Sequence, residues 1–435
     1  DEFCSLFMTS SATNDGSMIS NIPFKPKPHI TDADKLAVQS ALEGGPVSDF
    51  FGSPGPYFNG GKQVKRLEKC WSKLVGSKNC ITTNSWSTGL ITCLKSCGIS
   101  YGDEVICTSL SMSATSTSIL ECGAVPIFCD VDPVFFNIDH KLLEGLITSK
   151  TKAIMLVHLF GHPAEMDAIL EIAAKYSLYI IEDAAHAPYS KYKEDFVGSI
   201  GSIGGFSLNY HKHIHCGEGG LIVTNNDTLA EKARFIRNHG ENCLEGSTEF
   251  SGEFLFGSNY RLTEIQSALA LSQIERLCDC VNHRNRLHQF FSQAISQSGL
   301  SKYVKAPTIL PHCTHSFYCY PLIYNSLENK IHRDAFVAAV NSEFSEPPSW
   351  EQIPLSAGYL KPLYKNPIYQ IPNIQKSPFP VLLEYQDYYA NLSCPVAESS
   401  YCDSLIIVPI IHEGNTVAEL QLLIDAMIRV AHDML

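Results

Sequence analysis

The chain has 435 residues, 45% of them hydrophobic and 18% charged, enough to bury a large core in two or three domains. A formal net charge of −13 excludes partners that need a broad basic face, nucleic acid above all, and leaves room for a local basic pocket. No apolar run approaches the roughly 18 residues of a membrane span, and the 16 cysteines lack zinc-like CxxC spacing, so they read as free, largely buried thiols of a reducing compartment.

Residues 1–22 are rich in Ser, Thr, Asn and Gly and read as a mobile tail. They lack the basic stretch and apolar core of a secretory leader, so the expected location is cytoplasmic. A large domain over 23–265 follows. In chain order its expected strands are KNCITTN, DEVICTS, VPIFCDVD, KAIMLVHLFG, LYIIEDAA, GSIGGFSLN and GGLIVTN. Helical patterns such as STGLITCLKSCGI, SATSTSILECG and EMDAILEIAAKYS separate several of them. Strand–helix alternation of this kind predicts an α/β fold with a mainly parallel seven-stranded sheet between helices, and short continuous apolar runs suit strands buried on both faces.

From 262 to 297 apolar residues recur at helical spacing and lead into a smaller C-terminal α/β domain, 266–435. Its strands are expected near SFYCYPLIYN and LIIVPII, with a closing helix in VAELQLLIDAMIRVAHDM. Between them, 343–393 is rich in Pro, Tyr and Asn. It is too aromatic for a disordered linker and reads as a packed, irregular insertion of the kind that shapes pockets.

The stretch NYHKHIHCGEGG, 209–220, carries the chemistry. On a strand, His211, His213 and His215 would share one face and could hold a metal. No carboxylate or fourth ligand stands nearby, so metal is not the favoured reading. The alternative centres on Lys212. A buried lysine amine can form a Schiff base with an aldehyde cofactor, of which pyridoxal phosphate is the common one. That cofactor needs an acid beside its ring nitrogen, and Asp183 ends an apolar strand, where functional groups gather in open α/β sheets. Its phosphate needs backbone N–H groups at a helix start plus hydroxyls. Ser85, Ser87 and Thr88 open a helix, and Ser207 lies five residues before Lys212. His158, His162 and Glu218 read as packing or turn residues.

In this order and context the stretches GISYGDEVICTSLSMSAT, GAVPIFCDVDPVFFNID, VHLFGHPAEMDAILEIAAKY, IIEDAAHA, FSLNYHKHIHCGEGGLIVTN, GSNYRLTEIQSALALSQIERL and CPVAE resemble the DegT/DnrJ/EryC1/StrS aminotransferases. These are fold type I pyridoxal-phosphate enzymes that mostly aminate keto-sugars, and the resemblance covers nearly the whole chain. It implies Lys212 as Schiff-base lysine and proton shuttle, and Asp183 as partner of the ring nitrogen. His186 falls beside the cofactor's phenolic oxygen, and Ser207 supplies a phosphate hydroxyl. Asn259 is the residue reaching a neighbouring subunit's cofactor phosphate, with Arg261 assisting. Family members are usually dimers with shared active sites, so a homodimer is expected.

Two positions depart from the family pattern. The phosphate turn Ser85-Trp86-Ser87 has Trp86 in place of a small glycine, and Met112 stands where an aromatic ring usually covers the pyridine. A thioether can pack on a ring face. Substrate contacts are expected from His211, His213, Arg261 and His315. The function the resemblance implies is transfer of an amino group from L-glutamate to a nucleotide-linked keto-sugar, a 4-keto-6-deoxyhexose. A sugar dehydratase, a cyclitol aminotransferase and a catalytically silent homologue are the alternatives.

Overall fold

The computed structural model describes residues 23–53, 55–240, 255–326 and 331–434; the expected tail, 1–22, lies outside the described residues. The apolar runs form strands in the predicted order: α1 (Asp32–Glu43), α2 (Lys62–Val75), β1 (Asn79–Thr83), α3 (Trp86–Ser96), β2 (Glu104–Thr108), α4 (Ala114–Glu121), β3 (Val125–Cys129), α5 (His140–Leu143), β4 (Thr151–Val157), α6 (Met166–Tyr176) and β5 (Tyr179–Asp183). A two-rung ladder, β6 (Lys191–Tyr192) and β7 (Asp195–Phe196), precedes β8 (Ile203–Ser207), β9 (Gly220–Thr224) and α7 (Asp227–Arg237).

These strands build a seven-stranded sheet in the order β1-β9-β8-β5-β4-β2-β3. It is parallel except for β9, which runs against both neighbours. The reversal has a local cause. Residues 208–219 between β8 and β9 contain no helix, and a parallel return is usually made through one. Every residue of β2, β3 and β9 is buried, as a sheet covered on both faces requires. One edge of the sheet therefore gathers the loops after β1, β2, β4, β5 and β8 together with the start of β9.

The helical stretch after residue 262 is two helices, α8 (Glu264–Ile274) and α9 (Leu277–Gln297). At the break Arg276 reaches back to Asp34 in α1, 2.8 Å away. The second core lies beyond, around an antiparallel sheet of β10 (Val304–Lys305), β11 (Tyr320–Tyr324), β12 (Ser356–Ala357) and β13 (Leu405–Val408), in the order β10-β11-β13-β12. Helix α10 (Arg333–Ser342), α9 and the C-terminal helix Val417–Met434 cover it, burying Phe291, Phe336, Leu423 and Met427.

The sequence places the aromatic stretch 343–393 in the smaller domain, but its tyrosines pack on the large sheet. Tyr364, Tyr369 and Tyr389 join the first core around Phe128 of β3. Phe128 N–H donates to the Tyr388 hydroxyl at 2.8 Å, and the Tyr389 hydroxyl donates to the Pro126 carbonyl at 2.9 Å. Asp130, just past β3, then accepts from the N–H groups of Val396 and Ala397, both at 2.9 Å.

Candidate active site

Lys212 lies in a turn after β8, not on a strand, so the alternation that would have aligned His211, His213 and His215 is absent. Each histidine does something separate. His213 is buried, and its Nε2 bonds the Ser316 carbonyl at 2.8 Å, tying the lysine turn to the second domain. His215 packs edge-on against His29, with ring centroids 5.3 Å apart. His211 rests on Tyr210 at 3.7 Å. Glu218 holds the turn by accepting from the Asn209 side chain at 2.9 Å.

The Lys212 ammonium lies 4.4 Å over the Tyr318 ring. Among the described residues no carboxylate comes within ion-pair distance of it. Burial lowers its pKa to about 8, against the pull of Asp183 in the opposite direction. Tyr318 also carries His186, whose ring is stacked 4.0 Å away at 8°. His186 is itself buried, its Nδ1 has no partner among the described residues, and burial pushes its pKa well down, so it is a neutral imidazole.

Asp183 ends β5, with its carboxylate buried. Trp86 Nε1 donates to Oδ1 at 2.7 Å, and Ala185 N–H donates to the same oxygen at 3.1 Å. Oδ2 takes no donor among the described residues. Burial raises the carboxyl's pKa, opposed by those two hydrogen bonds and by the charge of Lys212. Beneath it, His158 Nδ1 accepts from Ala164 N–H at 3.0 Å, which places the ring proton on Nε2, donating to Glu182 at 2.9 Å. Glu182 also accepts from Gly198 N–H at 2.7 Å. This fully buried pair braces the end of β5 from below.

At the start of α3, Ser85 is the N-cap. Its hydroxyl accepts from Thr88 N–H at 3.1 Å, which occupies it in capping. The unpaired N–H groups of the first turn and the exposed Ser87 hydroxyl remain as anion donors. Ser207 closes β8 with Oγ accepting from Asn209 N–H at 3.2 Å, leaving its own proton to give. Met112, exposed after β2, receives Ala114 N–H on its sulfur at 3.1 Å. Asn259 is exposed; its carbonyl takes the Asn84 amide at 3.1 Å, and its side chain takes Arg261 Nε at 2.9 Å. Arg261 also reaches Asn238 at 3.1 Å.

His315 differs from its expected role as a substrate contact. It is buried and stacked 3.7 Å from Phe317, with Nδ1 accepting Phe317 N–H at 2.9 Å, so it packs the second domain. Three groups escaped the sequence reading. Tyr318 stands under the lysine, and Tyr359, half-buried beside Phe160 at 5.0 Å, comes from the aromatic stretch. Lys27, buried, donates to the Lys212 carbonyl and anchors the Lys212 turn from the N-terminal segment. Only Tyr318 had a local cue, lying in the strand pattern SFYCY that follows His315.

These residues fit pyridoxal phosphate. A lysine with a depressed pKa, a buried carboxylate with one open oxygen, an unpartnered imidazole nitrogen and an open helix start share one sheet edge. Together they define a fold type I pyridoxal-phosphate aminotransferase. The model of the DegT/DnrJ/EryC1/StrS aminotransferase family matches residues 53–413, and the chain belongs to that family. It is 32% identical to the spore coat polysaccharide biosynthesis protein SpsC of Bacillus subtilis, over 79% of this chain and 87% of that one. It is 39% identical to GDP-perosamine synthase of Caulobacter vibrioides, over 60% of this chain and 68% of that one. Among solved structures, an aminotransferase from Psychrobacter cryohalolentis superposes with a TM-score of 0.78 at 26% identity, covering 95% of this chain and all of the other. Among the described residues no helix is long and apolar enough to cross a membrane.

Proposed function

We propose that the chain moves an amino group from L-glutamate to the ketone of a nucleotide-linked keto-sugar, a 4-keto-6-deoxyhexose. The observation that carries the reading is the partly buried Lys212 amine, with a pKa of about 8, on the same sheet edge as Asp183. Bound pyridoxal phosphate supplies an aldehyde to capture amines and a protonated ring to accept electrons. Lys212 Nζ is then the base that takes a proton from the donor's α-carbon and the acid that returns it. At a pKa of about 8, about a tenth of the amine is already uncharged at neutral pH.

Asp183 Oδ2 holds the proton on the ring nitrogen, and the neutral His186 faces the phenolic oxygen. The start of α3, with Ser87 and Ser207, holds the phosphate. His211 flanks the lysine as a substrate contact. The active unit is a homodimer in which Asn259 and Arg261 serve the neighbouring subunit's cofactor phosphate; a sedimentation mass of one chain would remove that part. All described cysteines are free, which fits the reducing cytoplasm proposed as its compartment.

The relative named for a GDP-sugar supports the choice of acceptor class. The dehydratase alternative is disfavoured because the shuttle position holds Lys212. The test is a panel of nucleotide-linked 3-keto and 4-keto sugars with glutamate or glutamine as donor, read by mass spectrometry. An aminated 4-keto sugar with stoichiometric 2-oxoglutarate is expected. Deoxygenated product without nitrogen, or no sugar turned over while glutamate still discharges the cofactor, would overturn it.

A further inference from the structure

Trp86 has no role in that scheme, although it stands in the phosphate turn. Its indole does not crowd the turn. It points inward, 6% exposed, over two glycines from separate elements. A Cβ built on Gly89 of α3 would stand 2.5 Å from Trp86 Cε3, and one on Gly205 of β8 would stand 2.5 Å from Cζ3. Real Cβ atoms do not approach so closely, so neither glycine could carry a side chain beside the indole; at Gly205 the Leu221 carbonyl, 2.0 Å from the same Cβ, forbids one as well. Seated there, Nε1 reaches Asp183 Oδ1 at 2.7 Å.

We propose that Trp86 is a positioning residue: by engaging Oδ1 it fixes the plane of the Asp183 carboxylate and leaves Oδ2 as the oxygen that holds the cofactor's ring-nitrogen proton. The inference rests on Asp183 serving that nitrogen. An indole N–H suits the task because it only donates; a group able to accept would compete for the same proton. A hydrogen bond to a buried anion is also stronger than a neutral one, and it offsets the burial that disfavours the charged carboxylate.

The other groups facing Asp183 come from each side of the site. Lys212 favours its charge, His158 is held neutral by accepting Ala164 N–H on Nδ1, and Tyr359 and Cys93, both kept neutral by burial, add no anion at neutral pH. Losing the Trp86 donor therefore favours the protonated acid. Cofactor retention should then fail at a higher pH, because a neutral Asp183 no longer holds the ring proton.

The experiment loads purified protein with pyridoxal phosphate and measures retained absorbance after gel filtration across acidic pH. Circular dichroism checks the fold. Trp86→Phe should move the acid limb of retention up by about one pH unit and weaken cofactor binding about tenfold at neutral pH. Gly89→Ala keeps the indole but drives a methyl into it, so it should shift the limb in the same direction. The double variant should be no worse than Trp86→Phe alone. Asp183→Asn should abolish the limb. A wild-type limb and affinity in Trp86→Phe, with the limb lost in Asp183→Asn, reduces Trp86 to packing and overturns the proposal. A wild-type limb in Asp183→Asn instead overturns the assignment of Asp183 itself. Should Trp86→Phe fail to fold, an unshifted limb in Gly89→Ala overturns the proposal.

Discussion

Replacing Asp183 by asparagine should make the cofactor-free lysine more reactive while making the loaded enzyme slower. Lys212 sits at a pKa of about 8 as a balance between burial, which lowers it, and the charge of Asp183, which raises it. Asparagine keeps the shape and still accepts the Trp86 N–H, but it deletes the negative charge. An opposite charge within about 4–6 Å moves a pKa by about 1 to 3 units, and because Asp183 lies beyond ion-pair distance the lower figure applies. At the lower figure Lys212 falls to about 7, because its ammonium loses a stabilising partner. The uncharged fraction at pH 7 then rises from about a tenth to about a half, so an amine-specific label should react about fivefold faster. The assay is limited labelling of cofactor-free protein from pH 6 to 9, with the Lys212 peptide quantified by mass spectrometry against the exposed Lys35. The midpoint should fall by about one unit with the alkaline plateau unchanged. An unmoved or raised midpoint would refute the coupling of Asp183 to Lys212, and with it the shared-site geometry.

Lys212→Ala should keep the circular dichroism of the parent, lose borohydride-fixed cofactor from its turn peptide, and drop turnover by about a thousandfold or more; turnover within tenfold of the parent would refute the shuttle role. Arg284→Met tests a buried ion pair inside the smaller domain. Arg284 is buried, bonds Glu413 at 3.0 and 3.1 Å and donates to the carbonyls of Phe317 and Tyr318. Removing one partner of such a pair costs about 3–5 kcal/mol, so urea unfolding should show a loss of that size; under about 1 kcal/mol would mean the pair is not buried as described.

The large sheet is legible because β1, β2, β3, β4, β5, β8 and β9 are short apolar runs closed by polar residues, and burial on both faces leaves that pattern in the sequence. The reversed direction of β9 is not written in its own residues. It follows from the helix-free link before it, a cue that lies in the loop. Asp183 stands out because it breaks an apolar run at a strand end, and Lys212 because it lies in the polar turn between β8 and the glycines before β9. The seat of Trp86 was hidden, since it depends on two glycines, Gly89 and Gly205, from distant parts of the chain. The spacing of His211, His213 and His215 has meaning only on a strand, and the three lie in a turn. The destination of 343–393 was equally hidden, because its contacts are to β3, more than two hundred residues earlier.

That last contact has a consequence for how copies of the chain can meet. The free edge of β3 would otherwise offer unpaired backbone groups to any passing strand. Tyr388 already receives the Phe128 N–H, Tyr389 already serves the Pro126 carbonyl, and Asp130 turns the chain end into a helix start. The sheet is hemmed by phenols on this side, so it cannot be lengthened by a borrowed strand there.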